Sequence, residues 1–234
     1  MFDLLGQLWL IPASGGRARP ITNAVRDSAE DLDPSFSPDG RRVVFRAERN
    51  GRTGLWLLDL DSAVPRQLTQ LPDPTGYDGQ ASWSPDGRVI AFARALPDPA
   101  TERWRSNLML LDVASGAIRE LSIAGLPNPE VSDPVWVRGG KAIAFVARNA
   151  RSGKGGRVWI VPASGGQASP VTEDSVPALA PMFTPDGRRV AYFAQDSSGR
   201  MEGMALIADF GEVTPKQSGG QVSWELGSMK LDLP

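Results

Sequence analysis

The chain contains no histidine among its 234 residues. A Ser-His-Asp triad, an imidazole general base and a histidine-bearing metal site all require this side chain. Those kinds of active site are therefore excluded.

Carboxylates alone can hydrolyse glycosides when two of them lie about 5–9.5 Å apart, but the acidic residues here form no distinctive pair. Six of them are expected to bond the amides of turns: Asp39, Asp59, Asp61, Asp86, Asp112 and Asp186.

Two further absences narrow the chemistry. The chain has no cysteine, which removes disulfides, thiolate nucleophiles and thiolate metal ligands while leaving the redox compartment open. Phosphate-binding loops at helix N-termini are also missing, because the glycine pairs at residues 15–16 and 165–166 lie between predicted strands. We interpret both pairs as hairpin turns, and we predict no cofactor and no enzymatic activity.

Neither an excess of positive charge nor a long apolar run is present. The 25 basic and 27 acidic residues give a net charge of -2, whereas nucleic-acid binding requires clustered positive charge. No run approaches the roughly 18 apolar residues of a membrane-spanning helix, and residues 4–11 lack the preceding positive charge of a signal peptide. We therefore expect a soluble monomer that neither binds nucleic acid nor enters a membrane.

The chain does contain an internal repeat. Residues 7–22, QLWLIPASGGRARPIT, return as RVWIVPASGGQASPVT 150 positions later, with nine of sixteen residues identical. A shorter element recurs as SFSPDG, SWSPDG and MFTPDG and, in degenerate form, as VWVRGG. Its final glycines stand 47, 53 and 47 residues apart, and periods of this length are typical of four-stranded propeller blades rather than of helical repeats.

Each repeat predicts four antiparallel strands, called a to d in chain order. A Pro-Asp-Gly turn joins strands a and b, since proline presets the turn and glycine tolerates a positive φ. The fold class is therefore all-β, a single β-propeller domain over residues 1–234. Its four whole blades are predicted at residues 33–69, 80–122, 133–172 and 180–217.

The segments that flank these blades resemble two halves of another. Residues 7–22 match strands c and d, and residues 221–233 match strands a and b. We expect the halves to pair as a fifth blade that closes the ring, because closure removes unpaired strand edges. The alternative is an incomplete arc of a propeller with six or more blades.

The aromatic residues recur at fixed places in the repeat and are expected to be buried between sheets. The strand a set is Phe36, Trp83, Trp136, Phe183 and Trp224; the strand b set is Phe45, Phe92, Phe145 and Tyr192; the strand c set is Trp9, Trp56 and Trp159. Trp104, in an insertion at residues 94–106, falls outside this pattern. Either a surface contact site or packing of the inserted loop would account for it.

Two sequence motifs carry a family resemblance. Pro-Asp-Gly turns precede RRVVF, RVIAF and RRVAY, and strand c ends as LWLIPASGG or VWIVPASGG. From residue 7 onwards the chain thus resembles the TolB-type, WD40-like β-propeller repeat family of bacterial proteins. The resemblance implies either a scaffold that binds a protein or peptide, as family members bind a lipoprotein in the periplasm, or an accessory propeller of a larger hydrolase. It carries over no catalytic residue.

The loops at one face of the predicted propeller carry opposite charges. Those from strand d to the next strand a are acidic and those from b to c are mainly basic, so we expect a negative zone near the channel mouth inside a positive zone. Such a pattern would orient a charged partner. The residues predicted to bind it are Arg94, Arg103, Trp104, Arg105, Arg148 and Arg151.

Three of the acidic residues raise the alternative of a metal site. Asp33, Asp78 and Asp133 come just ahead of strand a in their repeats, and the propeller geometry would direct them towards the channel. Converging carboxylates repel one another unless a cation lies between them. The main prediction is that no metal is bound, and a cation held by these three is the alternative.

Three functions remain open on the sequence. The first is a non-catalytic scaffold that binds a protein or peptide through its loops, outside the cytoplasm if the family resemblance extends to location. The second is the accessory or gating propeller of a larger hydrolase, such as an amidohydrolase or a prolyl-oligopeptidase-like peptidase. The third is a designed or truncated propeller with no function of its own.

Overall fold

The computed structural model describes residues 1–22, 30–49, 52–100, 103–126, 129–149, 156–172, 178–184, 189–195, 201–209, 215–218 and 221–224. These residues form mostly antiparallel sheets with one short 3-10 turn, Arg138–Gly140, and no α-helix. No helix in this part of the chain is long and apolar enough to cross a membrane. The chain divides into two compact units, Met1–Arg105 with Met109–Ile118, and Ser106–Leu108 with Arg119–Pro234.

The first unit begins with a three-stranded N-terminal sheet. Its strands are β1 (Phe2–Leu4), β2 (Gln7–Leu10) and β3 (Arg19–Pro20), in that order. Strand β1 was not predicted. It pairs with β2 through a tight turn in which Leu5 and Gly6 both have positive φ, 53° and 72°, as two-residue hairpins require. The edge of β2 at which we expected a C-terminal strand is therefore occupied by β1.

Two four-stranded sheets follow, each in the predicted a to d order. Blade A contains β4 (Glu30–Phe36), β5 (Arg42–Arg49), β6 (Arg52–Asp59) and β7 (Pro65–Gln67). Blade B contains β8 (Tyr77–Trp83), β9 (Val89–Asp98), β10 (Arg103–Asp112) and β11 (Ile118–Glu120). The insertion in blade B lengthens β9 and β10 to ten residues each.

The second unit contains two further blades. Strand β12 (Ile123–Ala124) precedes blade C, which consists of β13 (Pro129–Val137), β14 (Ala142–Asn149), β15 (Arg157–Pro162) and β17 (Ser169–Pro170). Strand β16 (Gly166–Gln167) pairs in parallel with β12. Blade D has three paired strands, β18 (Ala178–Phe183), β19 (Arg189–Gln195) and β20 (Met201–Asp209).

The C-terminal strands pair differently from the prediction. Strand β21 (Pro215–Ser218), expected as strand d of blade D, pairs with β22 (Gln221–Trp224) in a separate two-stranded sheet. The expected pairing of residues 7–22 with residues 221–233 is not among the strand pairs of the described residues, and residues 225–234 lie outside them. The structure therefore contains blades but no closed shared sheet in its described part.

The Ser-Pro-Asp-Gly segments form the predicted a-to-b turns. In blade A the Ser37 hydroxyl contacts Asp39 Oδ1 at 2.5 Å and accepts the Arg42 amide at 2.9 Å. In blade B, Ser84 contacts Asp86 at 2.6 Å in the same way. The bonds from the serine hydroxyls are the main reason that the pKa of both carboxyls lies below its usual value, and bonds from backbone amides are the second reason. Turn chemistry thus accounts for these acids, as predicted.

A second recurring bond fastens strand d to strand c. A threonine hydroxyl oxygen just after strand d accepts the amide hydrogen of an apolar residue in strand c. The pairs are Thr22 with Leu8 at 3.0 Å, Thr69 with Leu55 at 2.9 Å and Thr172 with Val158 at 3.1 Å. The repeat therefore preserves a hydrogen bond as well as an apolar pattern.

Apolar side chains fill the spaces between successive sheets within each unit. Leu8 of the N-terminal sheet packs with Val43, Phe45, Ala47 and Leu58 of blade A. Blade A packs on blade B through residues that include Val44, Leu55, Trp83, Ile90 and Phe92. In the second unit, blade C packs on blade D through residues that include Val146, Val158, Val190 and Tyr192.

The aromatic predictions are confirmed for strand b and only partly for strand a. Phe45, Phe92, Phe145 and Tyr192 are buried. In strand a, Trp83 is buried, but Phe36 is 39% exposed, which corrects its assignment to the core. Trp136 and Phe183, and the three strand c tryptophans, are half-buried. The side chain of Trp224 lies outside the described residues.

Trp83, at the same repeat position as Phe36, is covered by contacts from the neighbouring blade. The Trp83 indole donates to the Ser35 carbonyl at 3.1 Å, and the Arg42 guanidinium stacks 4.9 Å from its ring. Both contacts come from the preceding blade. The N-terminal sheet that precedes Phe36 has no strand a among its described strands, so Phe36 lacks the cover that Trp83 receives.

Candidate functional site

The acidic and basic residues predicted as separate zones pair with each other in the first unit. Asp31 of β4 bonds Arg49 of β5 at 2.9 Å, and Asp33 bonds Arg46 at 3.0 Å. These partners meet because the start of strand a lies opposite the end of strand b in an antiparallel pair. The expected separation of a negative zone from a positive one is therefore incorrect at these residues.

Blade B repeats this arrangement in a more buried form. Asp78 is fully buried, and its two carboxylate oxygens accept from Arg94 Nε at 2.7 Å and Nη2 at 2.9 Å. The Arg94 guanidinium also lies 5.4 Å from the Phe92 ring centroid. A bidentate pair of this kind fixes both side chains. Arg94 thus neutralises a carboxylate within its own blade, and its contact with a partner stays a prediction.

The three carboxylates considered for a cation do not occupy one repeat position. Asp33 and Asp133 are equivalent, since both adopt a φ of 52° before a proline, whereas Asp78 corresponds to Asp31. Asp33 and Asp78 are bonded to arginines, and Asp133 accepts the Ser132 hydroxyl at 2.7 Å. Within the described residues, no three acidic, histidine or cysteine side chains form a metal-binding group.

The other predicted contact residues are placed at exposed positions or lie outside the described part. Arg105 is exposed on β10, and Arg148 is exposed on β14 opposite Glu130. Arg103 starts β10, but its side chain is not among those described. Arg151 lies outside the described residues. Arg105 and Arg148 thus remain candidates for contacts with a partner.

An aromatic pair lies at the surface of the first unit. Trp104, at the start of β10, is 47% exposed, and Tyr77, at the start of β8, is 44% exposed. Their ring centroids are 5.8 Å apart with an interplanar angle of 49°. Trp104 therefore lies at the surface and packs on Tyr77, and its role as a contact site stays a prediction. Tyr77 was not predicted from the sequence, where blades A and C have Glu30 and Glu130 at its place.

The first unit also contains a cavity of about 490 Å³ between the N-terminal sheet and blade A. Arg49 contributes to its wall, but the Arg49 guanidinium is bonded to Asp31 and lies 4.5 Å from the Trp56 ring centroid. The remaining wall is formed by Gln7, Pro20, Ile21, Thr22, Leu58, Ala63 and Pro65. Among the described residues, this lining offers packing surface and no pair of carboxylates for acid-base chemistry.

Four-stranded antiparallel sheets recur along the chain and pack face to face within each unit. In blades A and B a Pro-Asp-Gly turn joins strands a and b of the sheet. These features define a protein of the β-propeller class. The family model described as the TolB beta propeller domain matches residues 16–153. The chain belongs to the TolB β-propeller family, as the sequence motifs predicted. Among curated proteins, none matches the chain.

Solved structures share this fold at low sequence identity. TolB from Acinetobacter baumannii is 22% identical with a TM-score of 0.64, and the match covers 96% of this chain and 50% of that one. A protein assigned as TolB from Agrobacterium tumefaciens is 20% identical with a TM-score of 0.68, covering 95% and 74%. A mutant of puromycin hydrolase is 22% identical with a TM-score of 0.57, covering 91% and 31%.

The lengths of these proteins differ from that of this chain. The chain spans half of the A. baumannii TolB and less than a third of the puromycin hydrolase. The same fold thus occurs in TolB and in an enzyme, and at these identities the likeness shows the fold alone.

Proposed function

We propose that this protein is a non-catalytic β-propeller scaffold that binds a protein or peptide through exposed residues at the b-to-c ends of its blades. The exposed positions of Trp104 and Arg105 in the first unit, and separately of Arg148 in the second, carry the proposal. Tryptophan and arginine are enriched among the residues that dominate binding energy at protein interfaces. By analogy with TolB, the place of action is the periplasm.

A pull-down with paired variants tests this function. The chain serves as bait in three forms: wild type, Trp104→Ala/Arg105→Ala/Arg148→Ala, and the control Arg66→Ala, which changes an exposed arginine on strand d of blade A. A partner is expected to bind wild type and Arg66→Ala and to be lost from the triple variant. A partner captured equally by all three forms would place the binding surface elsewhere and contradict the proposal.

We also propose five blades, with the two flanking half-blades completing the fifth; the alternative is an arc of a larger propeller. Hydrogen exchange tests the difference at β1, which is the edge strand of the N-terminal sheet. A completed blade would protect the outward-facing amides of β1 by pairing them. Rapid exchange of those amides, with protection retained in β5, would favour the arc.

The second candidate function is the propeller of a larger hydrolase, and the match to puromycin hydrolase favours it. An accessory propeller would acquire a role only beside its catalytic domain. Sequencing the reading frame on both sides of this segment tests the idea directly. A catalytic domain there would support the hydrolase function, whereas an export signal with an α/β domain would support the TolB-like scaffold.

A further inference from the structure

The pair of Tyr77 and Trp104 is more exposed than the strand b aromatics and Trp83, and its two rings contact each other. The strand b aromatics are buried, and so is Trp83. In contrast, Tyr77 and Trp104 leave nearly half of each side chain in water while lying 5.8 Å apart. Two large aromatic side chains held together at the surface are typical of a contact site.

The residues at these two positions of blade B can be compared with the residues at the same sequence offsets in blades A and C. Tyr77 stands seven residues before Ser84, and the residues at the same place in blades A and C are Glu30 and Glu130. Trp104 stands four residues before Leu108. Counted back in the same way from Leu55 and Val158, the residues at that offset in blades A and C are Gly51 and Lys154, which lie outside the described residues. The repeat sequence therefore has no aromatic residue at either offset in blades A and C, yet blade B has one at both.

The turn before Tyr77 holds that residue in place. Asp73 Oδ1 accepts the amide and the hydroxyl of Thr75 at 2.8 and 2.6 Å, and the Thr75 hydroxyl is the leading cause of a lowered Asp73 pKa. Gly76 packs so closely that a Cβ there would lie 2.6 Å from Leu96 Cδ2 and 2.9 Å from the Ala95 carbonyl oxygen. The Tyr77 backbone is thus set before any partner arrives, which reduces the entropy cost of binding.

The geometry of the pair selects a kind of ligand. The two rings are inclined at 49° and contact each other at 5.8 Å, so a compact apolar ring such as that of proline would pack against their exposed faces. The phenol and the indole each add a hydrogen-bond donor beside the ring faces, suited to the carbonyls of an extended peptide. Because Asp73 and Thr75 are bonded to each other, a hydroxyl-rich sugar would find fewer polar side chains here.

Positive charge at the same end of strand β10 adds to this selection. Arg105 directly follows Trp104, so its exposed side chain lies on the other face of the strand, and its charge would attract an acidic residue of a segment that extends past the strand edge. Aromatic-lined grooves bind proline-rich segments in other domains because the polyproline II conformation is already formed and costs little entropy. We infer that Tyr77 and Trp104 bind a proline-containing, acidic, extended segment of a partner protein. This inference rests on the proposed function and names the partner's chemistry.

The test uses the full chain and three probes: a ten-residue peptide of alternating glutamate and proline, the matched peptide with alanine for proline, and maltohexaose. Binding is followed by the NMR signal of the Trp104 indole N–H, assigned by its loss in Trp104→Lys, and by calorimetry. The variants Tyr77→Glu and Trp104→Lys introduce the residue types that blade C has at these positions, so the fold is expected to tolerate them. Val64→Ser, which removes another exposed apolar side chain, is the control.

We expect the proline peptide to shift the Trp104 indole signal and the alanine peptide to bind at least about tenfold more weakly, and each ring variant to weaken proline-peptide binding by about tenfold or more. Val64→Ser should bind as wild type does. Equal binding of the two peptides, or unchanged affinity in Tyr77→Glu and Trp104→Lys, would overturn the inference. Binding of maltohexaose in place of the peptide would do the same and would identify a sugar site.

The outcomes also separate this inference from the broader function. If Trp104→Lys binds the peptide normally while the Trp104/Arg105/Arg148 triple variant loses its captured partner, the scaffold function stands and only the proline specificity fails. If all three bait forms capture the same proteins equally, the loop-binding function fails whether or not the peptide binds the ring pair.

Discussion

At the scale of single residues, burial decides how much a charged side chain contributes to the stability of the fold. The pairs Asp78–Arg94 and Asp33–Arg46 use the same residue types in neighbouring blades. Asp78 is fully buried and Arg94 is 11% exposed, whereas about 30% of each side chain is exposed in the second pair. Removing one partner of a buried pair leaves an uncompensated charge in an apolar setting, and water screens an exposed pair.

We therefore expect Asp78→Asn to lower the free energy of unfolding by about 3 kcal/mol and the matched change Asp33→Asn to lower it by about 0–1 kcal/mol. Urea titration followed by tryptophan fluorescence measures both. The double variant Asp78→Asn/Arg94→Met should recover part of the loss, since it removes the orphaned cation. Equal losses for the two single variants would show that burial does not separate these pairs.

At the scale of structural elements, equivalent turns differ in what surrounds them. The c-to-d turns at residues 12–16 and 162–166 have the same sequence, and their glycines have similar positive φ angles: 83° at Gly15 and 87° at Gly165. A Cβ on Gly15 would meet nothing within 4 Å, whereas one on Gly165 would lie 2.9 Å from the Ser122 carbonyl oxygen. Gly166 also donates its amide to that carbonyl at 3.0 Å.

This difference makes a matched pair of alanine variants informative. Gly15→Ala should cost about 1–2 kcal/mol for a non-glycine residue in the left-handed region. Gly165→Ala should cost clearly more, because the new methyl group must also push β16 away from β12. Thermal unfolding of the two variants gives the comparison. If Gly15→Ala is as destabilising as Gly165→Ala, backbone conformation alone would explain both.

At the scale of the whole molecule, the absence of histidine and the abundance of capped turns set the response to pH. No imidazole titrates between pH 5 and 8. Asp39, Asp59, Asp73, Asp86 and Asp112 all have a lowered pKa, caused first by bonds from serine or threonine hydroxyls or from turn amides. A carboxyl whose folded pKa lies below its unfolded pKa stabilises the fold above the unfolded pKa.

The urea midpoint is therefore expected to stay level from pH 8 to 5. It should fall below about pH 4, the unfolded pKa of aspartate, as each turn carboxylate becomes protonated through its lower folded pKa. The variant Asp39→Asn/Asp86→Asn should have a lower midpoint at pH 7 and a shallower fall in acid, since two of the responsible groups are gone. A wild-type midpoint that drops between pH 8 and 5 would contradict this account.

The sequence alone determined the repeat unit and most of its local structure. Proline, aspartate and glycine specify the a-to-b turn through their own backbone preferences and short-range bonds, so Asp39 and Asp86 could be assigned to turns without coordinates. The strand b aromatics were predicted correctly because both faces of strand b pack against neighbouring sheets, as Phe45 and Val44 do on the two sides of blade A. These features depend on residues close together in the chain, and a repeat displays them several times.

Tertiary structure decided which residues are paired, covered or exposed. Only the meeting of strands a and b made Arg94 the partner of Asp78. Phe36 is exposed although Trp83, at the same repeat position, is buried against the preceding blade, and β1 took an edge that the repeat pattern assigned to another strand. Tyr77 and Trp104, 27 positions apart in the chain, became a pair because separate strands bring them together. Periodicity records local preference, whereas contact and burial depend on neighbours distant in sequence.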